Sequence, residues 1–386
     1  MTPIISLKPG KERSAKRLHP WIFSGAIKTT PPGLTEGDIV KVTASNGASL
    51  GSGFYGSSSI SVKLCAFGNT ELNDEFWSEQ FRKAFSLRQA LGLIKAENMY
   101  RLINAEGDGI PGLIIDIYGN AAVIQAHHQG ISSIKEQIVN SLEQLYGAEL
   151  EIIYWQNLFS KNEEGEYLKG SKPSEHIVLE NNLKFAIDWE DGQKTGFFID
   201  QRRNRNLVSE LTPGKKVLNA FSYSGGFSAY ALKTGALEVT SVDSSEKANI
   251  LCKRNIELNF GDTKTHTTVK EDCLTYLRNI YQKFDFIILD PPAFAKHRGA
   301  VDGAMAGYRD INRLAMKALP SGGLLATFSC SQLVSRDMFQ EAVFTAAIQA
   351  DRKAQIIHRL GQSEDHPFSA FHPEGEYLKG LVLRIS

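Results

Sequence analysis

From about residue 215 onward, short apolar runs alternate with stretches that have the spacing of amphipathic helices. The helical stretches are 226–234, 245–259 and 308–319. Repeated strand–helix units place their strands in parallel, with helices covering both faces of one sheet. The pattern therefore predicts an α/β fold with a mostly parallel, doubly wound, Rossmann-like sheet. Its predicted strands are "KVLNAF", "EVTSVD", "HTTVKED", "FDFIILD" and "GLLATFS".

The residues before this region follow other patterns. The first ~70 residues carry short β-rich runs between Gly and Ser turns, which predict a small β-barrel. A helical segment near 75–93, a second near 132–146 and several strand-like pieces predict a middle α+β domain. The sequence thus predicts three domains: a barrel at 1–72, an α+β domain at 73–187 and the doubly wound domain at 188–386.

Charge and motif content limit the functional classes. Lys+Arg and Asp+Glu are both 43, so the net charge of zero gives no global attraction to nucleic acid. No apolar stretch reaches the ~18 residues of a membrane span, and the N-terminus lacks the apolar core of a signal peptide. We therefore expect a cytoplasmic protein without membrane association. The sequence contains no C-x-x-C pair and no H-E-x-x-H motif, so no metal site is predicted.

A basic cluster precedes the first strands of the predicted barrel. From composition alone it fits equally a solvated arm or a contact to RNA phosphates. Its members are Lys8, Lys11, Arg13, Lys16, Arg17 and His19.

Four predicted strands end in residues suited to ligand binding, and ligands in open α/β sheets bind at the carboxyl ends of strands. The first strand runs into a turn with Gly225 and Gly226, which lets the backbone approach a ligand at the start of a helix. The second ends at Asp243, which can accept both hydroxyls of a ribose or cap the next helix. Asp272 follows the third strand and can accept from an adenine amino group. Asp290 ends the fourth, followed by two prolines that fix an extended loop.

The order of glycine turn, Asp243, Asp272 and Asp-Pro-Pro resembles that of the class I S-adenosylmethionine-dependent methyltransferases. This resemblance implies S-adenosylmethionine as cofactor. The methionine part would lie at the glycine turn, the ribose at Asp243, the adenine at Asp272 and the sulfonium methyl group next to Asp290. Asn219 departs from the pattern, because many of these enzymes have an acid at the end of the first strand.

Longer motifs narrow the resemblance to bacterial and archaeal 23S rRNA 5-methylcytosine methyltransferases that carry an N-terminal PUA domain. The similar segments are "LKPGKERSAKRLHPWIFSGAI", "EGDGIPGLIIDIYGN", "GQKTGFFIDQRRNR", "LNAFSYSGGFS", "DPPAFAK", "TFSCS" and "EGEYLKGLVLRI". The resemblance implies an RNA partner, 23S rRNA or a large-subunit assembly particle, and makes the basic cluster an RNA contact. It also implies that the segment around Lys194 closes over the cofactor as a hairpin.

The resemblance and the strand ends together give a set of candidate cofactor-binding residues. Core packing is an equally good explanation for Phe197 and Phe198. The candidates are Phe198, Asp200, Arg202, Phe221, Ser224, Gly225, Gly226, Phe227, Asp243, Ser244, Asp272, Asp290 and Pro291.

Cys330 follows the fifth predicted strand, on the same sheet edge as Asp290. C5 of cytosine is a poor nucleophile, but a thiolate that adds to C6 makes C5 reactive enough to take a methyl group. We therefore expect Cys330 to be the nucleophile and Asp290 to hydrogen-bond the N3/N4 edge of the base. The base has to leave its stack to react, and Phe294 can stack on it. The remaining cysteines, Cys65, Cys252 and Cys273, are expected to be structural.

Two other functions compete with this prediction. The "DPPAF" loop also resembles that of enzymes that methylate a ring nitrogen or an exocyclic amine of guanine or adenine, but these do not need Cys330. A non-catalytic RNA-binding ribosome assembly factor is the alternative from another class. The sequence leaves a homodimer open.

Overall fold

The structure is a computed structural model that describes residues 2–96, 99–160, 163–295 and 297–386. Lys296 of the "DPPAFAK" motif lies outside the described residues. The chain divides into two compact units, and the three-domain division stays a prediction. Unit 1 comprises Met1–Val178, Ile187–Phe197 and Glu364–Gly375. Unit 2 comprises Leu179–Ala186, Phe198–Ser363 and Glu376–Ser386.

The N-terminal part of unit 1 is a small, bent β-structure with one short helix, α1 (Arg13–Lys16). Its strands are β1 (Ile4–Leu7), β2 (Trp21–Phe23), β3 (Ile27–Thr29), β4 (Ile39–Thr43), β5 (Ser49–Tyr55) and β6 (Ile60–Phe67). They form one sheet in the order β2-β6-β5-β4-β1-β3, with register irregularities that bend it. Alternate residues of β4 point into its core, where Val40 and Val42 are fully buried.

The following part of unit 1 is an α+β layer, as the sequence predicted. Its helices are α2 (Asp74–Ala90), α3 (Leu93–Ala96), α4 (Gln129–Ser132) and α5 (Lys135–Tyr146). Its strands are β7 (Met99–Asn104), β8 (Leu113–Tyr118), β9 (Ala121–Ala126), β10 (Ile152–Asn157) and β11 (Glu166–Lys169), in the order β11-β10-β9-β8-β7. Helix α2 begins after Asn73, whose side chain accepts from the N–H of Phe76 at 2.9 Å.

A hairpin of β12 (Ile177–Glu180) and β13 (Leu183–Ala186) precedes the large sheet of unit 2. The helices of unit 2 are α6 (Arg202–Ser209), α7 (Gly226–Lys233), α8 (Glu246–Phe260), α9 (Cys273–Arg278), α10 (Val301–Ala318) and α11 (Arg336–Gln349). The strands of its sheet are β14 (Lys216–Ala220), β15 (Glu238–Asp243), β16 (His266–Lys270), β17 (Phe286–Leu289), β18 (Leu324–Ser329), β19 (Ala354–Gly361) and β20 (Lys379–Ile385). Short 3-10 turns lie at Ser24–Ala26, Ala105–Asp108, Gly147–Glu149, Ile199–Gln201, Arg298–Ala300 and Pro373–Gly375.

The large sheet has the strand order β16-β15-β14-β17-β18-β20-β19. The first five strands in this order are parallel, whereas β20 lies antiparallel between β18 and β19. The predicted Rossmann-like α/β fold is confirmed, as are the five strands read from the sequence. Because β14, β15, β17 and β18 are parallel, their carboxyl ends share one edge of the sheet.

Both faces of this sheet are covered, so the central strand β17 is buried along its whole length. Helix α10 begins at Val301, seven residues before the predicted start at 308. Its first turns are rich in Gly and Ala, which give no apolar stripe. Gly307 serves packing instead, because an added Cβ would lie 3.0 Å from the ring of Phe294. Among the described helices, none combines the length and apolarity that crossing a membrane requires.

Candidate active site

The loop between β14 and α7 has an unusual backbone. Phe221 and Tyr223 adopt left-handed φ angles of 61° and 43°, which cost free energy for residues other than glycine. Gly225 follows with φ 75°, and an added Cβ there would collide with Sγ of Cys252. The amide of Asn255 donates to the carbonyl of Ser224 at 2.9 Å, which anchors the loop from α8. The predicted glycine turn is therefore a strained loop that only glycine at 225 can complete.

Asp243 ties the ends of β14 and β15 together. Its carboxylate accepts from the N–H of Tyr223 at 3.0 Å and from the N–H of Ser245 at 2.9 Å. The cap of α8 is Ser245, whose hydroxyl accepts from the N–H of Ala248, so helix capping does not explain Asp243. Ser244 beside it is exposed.

Asp272 is exposed and caps α9. Its Oδ1 accepts from the N–H of Thr275 at 2.9 Å and from the hydroxyl of the same residue at 3.0 Å. Cys273 next to it is buried, and the N–H of Phe221 donates to its Sγ at 3.2 Å. Burial raises the pKa of the Cys273 thiol to about 12, as expected for a structural cysteine.

A line of hydrogen-bonded polar side chains crosses the sheet from the end of β14. Asn219 donates to the hydroxyl of Ser228 at 2.9 Å, Ser228 is hydrogen-bonded to Ser241 at 2.7 Å, and Ser241 to Nε2 of His266 at 2.8 Å. The amide oxygen of Asn219 and the hydroxyl of Ser222 are buried without a hydrogen-bond partner among the described residues. Such atoms are suited to a polar ligand at this strand end.

The segment after the predicted hairpin supplies contacts to the Asp-Pro-Pro loop. Nε2 of Gln201 donates to Oδ1 of Asp290 at 3.0 Å, and Asn204 donates to Oε1 of Gln201 at 2.6 Å. Asp200 is buried, and its Oδ2 accepts from the hydroxyl of Tyr377 at 2.7 Å. Gln201 was not among the predicted site residues, although it lies inside the "GQKTGFFIDQRRNR" motif.

The predicted aromatic and basic residues of this site differ in environment. Phe198 is half-buried and meets the ring of Tyr223 edge-on at a centroid distance of 5.3 Å. Phe227 is buried against Phe328 in the core, and Arg202 is buried as well. Phe294 is half-buried beside the ring of Tyr308, with centroids 4.7 Å apart.

Cys330 lies just beyond β18 and is half-buried, with its Sγ 3.7 Å from the carbonyl oxygen of Pro291. The structure therefore brings Cys330 to the Asp-Pro-Pro loop, as the sequence predicted. The other cysteines are buried, and burial raises the thiol pKa of Cys252 to about 12 and that of Cys65 beyond any functional range. Of the four thiols, only that of Cys330 is partly accessible.

The basic cluster predicted to contact RNA lies in unit 1. Lys8, Lys11, Arg13, Lys16 and Arg17 are exposed, whereas His19 is half-buried. A cavity of about 550 Å³ opens beside α1. Its lining residues are Ser14, Lys16, Arg17, Leu18, His19, Ala370 and Phe371.

His19 also belongs to a group of side chains with metal-ligand chemistry, together with His372 and Glu374. Nε2 of His19 lies 3.4 Å from a carboxylate oxygen of Glu374, and that of His372 lies 3.7 Å from it. The Nδ1 atom of His19 accepts from the N–H of Trp21 at 3.2 Å. A neutral His19 then carries its proton on Nε2 and donates it to Glu374, which leaves no lone pair there for a metal ion.

Comparison with known proteins connects this geometry to a family. A model of the PUA-like domain matches residues 5–67, and a model of the S-adenosylmethionine-dependent methyltransferases matches residues 134–382. The chain belongs to the S-adenosylmethionine-dependent methyltransferases. A relative from Aeromonas salmonicida (strain A449), named Ribosomal RNA large subunit methyltransferase I, is 41% identical over 397 residues, which cover 100% of both chains.

Solved structures agree with this methyltransferase fold. A Streptococcus mutans chain described as a SAM-dependent methyltransferase has a TM-score of 0.85 and 24% identity, covering 100% of both chains. A second methyltransferase, solved in complex with SAH, has a TM-score of 0.86 with the same identity and coverage.

The residues present fit S-adenosylmethionine, the cofactor of this methyltransferase family. At Gly225 the loop has no room for a Cβ, and Asn219 and Ser222 offer buried oxygens to a polar ligand. The carboxylate of Asp243 lies at the same sheet edge, with its oxygens oriented by two backbone N–H groups. When bound, the cofactor supplies an electrophilic methyl group.

Proposed function

We propose that this methyltransferase forms 5-methylcytosine in large-subunit (23S) ribosomal RNA, with Cys330 as covalent nucleophile. The name of the full-length relatives supports the substrate. The observation that carries the mechanism is the position of Cys330, whose Sγ lies 3.7 Å from the carbonyl oxygen of Pro291. An enzyme that methylates a nitrogen has no use for a thiol at this place.

The proposed reaction begins with the thiolate of Cys330 and regenerates it at the end. The Cys330 thiolate forms a bond from Sγ to C6 of cytosine, and the electron pair of the C5–C6 double bond moves to make C5 nucleophilic. C5 then takes the methyl group that bound S-adenosylmethionine supplies. Loss of the C5 proton to a base and departure of Sγ as thiolate restore the aromatic ring.

Asp290 is the proposed partner of the base. A protonated Asp290 that donates to N3 would draw electron density from C6 and favour attack by the thiolate, and its carbonyl oxygen can accept from N4. The amide of Gln201 holds Oδ1 of Asp290 at 3.0 Å and so limits the rotation of the carboxyl group. We also propose that the cofactor-binding residues predicted from the sequence bind S-adenosylmethionine, with Asp243 on the ribose and Asp272 on the adenine.

The exposed basic cluster is the proposed RNA contact. Lysine and arginine side chains bind phosphates without regard to sequence. Phe371, which is 53% exposed, lines the cavity next to Lys16 and Arg17. An aromatic face beside cations is suited to an unstacked base and its phosphate.

The remaining predictions complete the proposal. We propose a cytoplasmic enzyme with a PUA-like domain at 1–72, a central α+β domain at 73–187 and a methyltransferase domain at 188–386. Methylation assays with free 23S rRNA and with large-subunit particles distinguish the two substrates, and light scattering tests for a homodimer.

The decisive experiment is Cys330→Ala in a strain that lacks the wild-type enzyme, followed by mass spectrometry of its rRNA nucleosides. We expect wild-type protein and Cys65→Ala to restore 5-methylcytosine and Cys330→Ala to fail while still binding SAH in calorimetry. Restoration by Cys330→Ala would contradict covalent catalysis. A missing methylguanine or methyladenine would contradict the product, and a wild-type protein that binds neither S-adenosylmethionine nor SAH would favour an assembly factor.

A further inference from the structure

Lys379 is a buried lysine at the first position of β20. It is 3% exposed and pairs in antiparallel register with Ser329, the last residue of β18. Lysine is almost never fully buried unless a partner compensates the loss of hydration. The position of Lys379 therefore needs an explanation beyond strand packing.

The hydrogen bonds of Lys379 place its ammonium group next to Cys330. Nζ donates to the carbonyl oxygen of Ser331 at 2.7 Å and to that of Tyr377 at 2.9 Å. Lys379 pairs with Ser329 and donates to the carbonyl of Ser331. Its side chain therefore runs alongside Cys330, the residue between these two serines. Two of the three N–H bonds are used, and no described carboxylate forms an ion pair with Nζ.

The charges around Lys379 leave Cys330 as its natural counterion. Glu376 is bound by the guanidinium group of Arg336, with N–O distances of 2.6 and 2.5 Å, so this pair largely neutralises itself. Burial lowers the pKa of Lys379 to about 8, whereas negative charge on Cys330 opposes that shift. The interaction is mutual: a thiolate stabilises the ammonium group as much as the ammonium group stabilises the thiolate.

Three other described groups near Cys330, those of Pro291, Tyr308 and Asp290, supply no positive charge. The carbonyl of Pro291 accepts from a thiol but repels a thiolate, so this contact favours the un-ionised form. On α10, Tyr308 is buried, and its hydroxyl is hydrogen-bonded to Ser331 at 2.9 Å. Burial raises the pKa of Tyr308, which keeps this phenol neutral. Asp290 adjoins Pro291 and, where ionised, would disfavour a second negative charge.

We propose that Lys379 is the cation that holds Cys330 as a thiolate and so prepares it for attack on C6. This inference rests on the proposed function, which makes Cys330 the nucleophile. When Lys379 is already an ammonium ion, the Cys330 proton leaves Sγ for solvent, and when Lys379 is neutral, the proton passes from Sγ to Nζ. Both routes leave a thiolate beside an ammonium group. Lys379 acts through Cys330 and is therefore a positioning residue.

The test is the pH dependence of Cys330 alkylation by iodoacetamide, measured by intact mass between pH 5 and 10. The thiolate alone reacts, and Cys330→Ala gives the background from the buried cysteines. We expect the wild-type midpoint to lie below the ordinary thiol value of about 8.5. Lys379→Met should raise the midpoint by at least about one pH unit and slow alkylation at pH 7 roughly tenfold, whereas Lys379→Arg should keep it low.

Two results would overturn the proposal. One is a wild-type midpoint at or above about 8.5, which needs no variant and holds even if Lys379→Met does not fold. The other is an unchanged midpoint in a Lys379→Met protein that still binds SAH. Neither result depends on methylation, so a failed proposal for Lys379 can be told apart from a failed proposal for the reaction, which Cys330→Ala tests. If the pH at which kcat is half-maximal rises in Lys379→Met by as much as the alkylation midpoint, both the proposal for Lys379 and the proposed reaction would be supported.

Discussion

Two parts of the candidate site, both at the carboxyl edge of the large sheet, are built differently. We call the part at Gly225 and Asp243 the cofactor end, and the part at Asp290 and Cys330 the nucleophile end. The cofactor end depends on the backbone. Gly225 lies in a strained loop that has no room for a Cβ, and two backbone N–H groups orient the carboxylate of Asp243. At the nucleophile end, side chains from distant parts of the chain support each other. Gln201 holds Asp290, and Lys379 donates to the carbonyl next to Cys330.

This difference decides where substitutions are tolerated. A backbone-built site fails when the chain can no longer follow its path, so single changes there affect folding and binding together. A site built from side chains loses one contact at a time, so its chemistry can change while the fold persists. The substitutions below test that distinction, from the largest expected effect to the smallest.

Gly225→Ala should have the largest effect. Backbone strain and collision with Cys252 together should cost about 3 kcal/mol of stability and abolish measurable SAH binding. Chemical denaturation and calorimetry measure the two losses. Gly235 is the matched control, because its φ is 92° but nothing lies within 4 Å of an added Cβ, so Gly235→Ala isolates the strain. Adding Cys252→Ala should recover part of the loss, and no recovery would mean that the collision is unimportant.

Gln201→Leu should separate chemistry from binding. The amide of Gln201 donates to the Asp290 carboxyl group at 3.0 Å, and removing one partner of such a bond costs about 2 kcal/mol. We therefore expect kcat to fall roughly ten- to hundredfold with little change in SAH affinity. Gln282→Leu, at an exposed position, is the matched control. An equal loss of SAH binding in Gln201→Leu would show that the two ends of the sheet are not separable.

The sequence made the cofactor end easier to predict than the nucleophile end. A glycine turn and acids at strand ends are local signals, and parallel strands bring them to one edge. Cys330 could also be placed, because it directly follows a predicted strand. Gln201 and Lys379 carry no such local signal. Lys379 enters the site on β20, a strand absent from the prediction. Its hydrogen bond to the carbonyl of Ser331, 48 residues away in the chain, depends on the antiparallel pairing of β20 with β18.

His266, which is hydrogen-bonded to Ser241, should make the stability of the protein depend on pH. Burial lowers the pKa of His266 to about 4 from its ordinary value of 6.5, so between these values the unfolded chain binds a proton that the folded protein does not. Its stabilisation is complete above about pH 6.5 and is lost as the pH falls toward 4. His266→Gln can keep the hydrogen bond to Ser241 but cannot titrate. Its stability should therefore fall less than that of the wild type below pH 6, by about 1–2 kcal/mol at pH 4.5. Parallel stability curves in urea denaturation would contradict this role.

Tyr377→Phe should have the smallest effect. It tests whether the loss of a hydrogen bond to Asp200 leaves the nucleophile end unchanged. The variant removes the hydroxyl that donates to Oδ2 of Asp200 at 2.7 Å, but it keeps the carbonyl that accepts from Lys379. Loss of one such bond should lower stability by about 1 kcal/mol and weaken SAH binding a few-fold. The midpoint of Cys330 alkylation should stay at its wild-type value, because the ammonium group keeps both of its carbonyl partners. A shifted midpoint would mean that Asp200 and Lys379 belong to one coupled network, and that the nucleophile end reaches into the cofactor end.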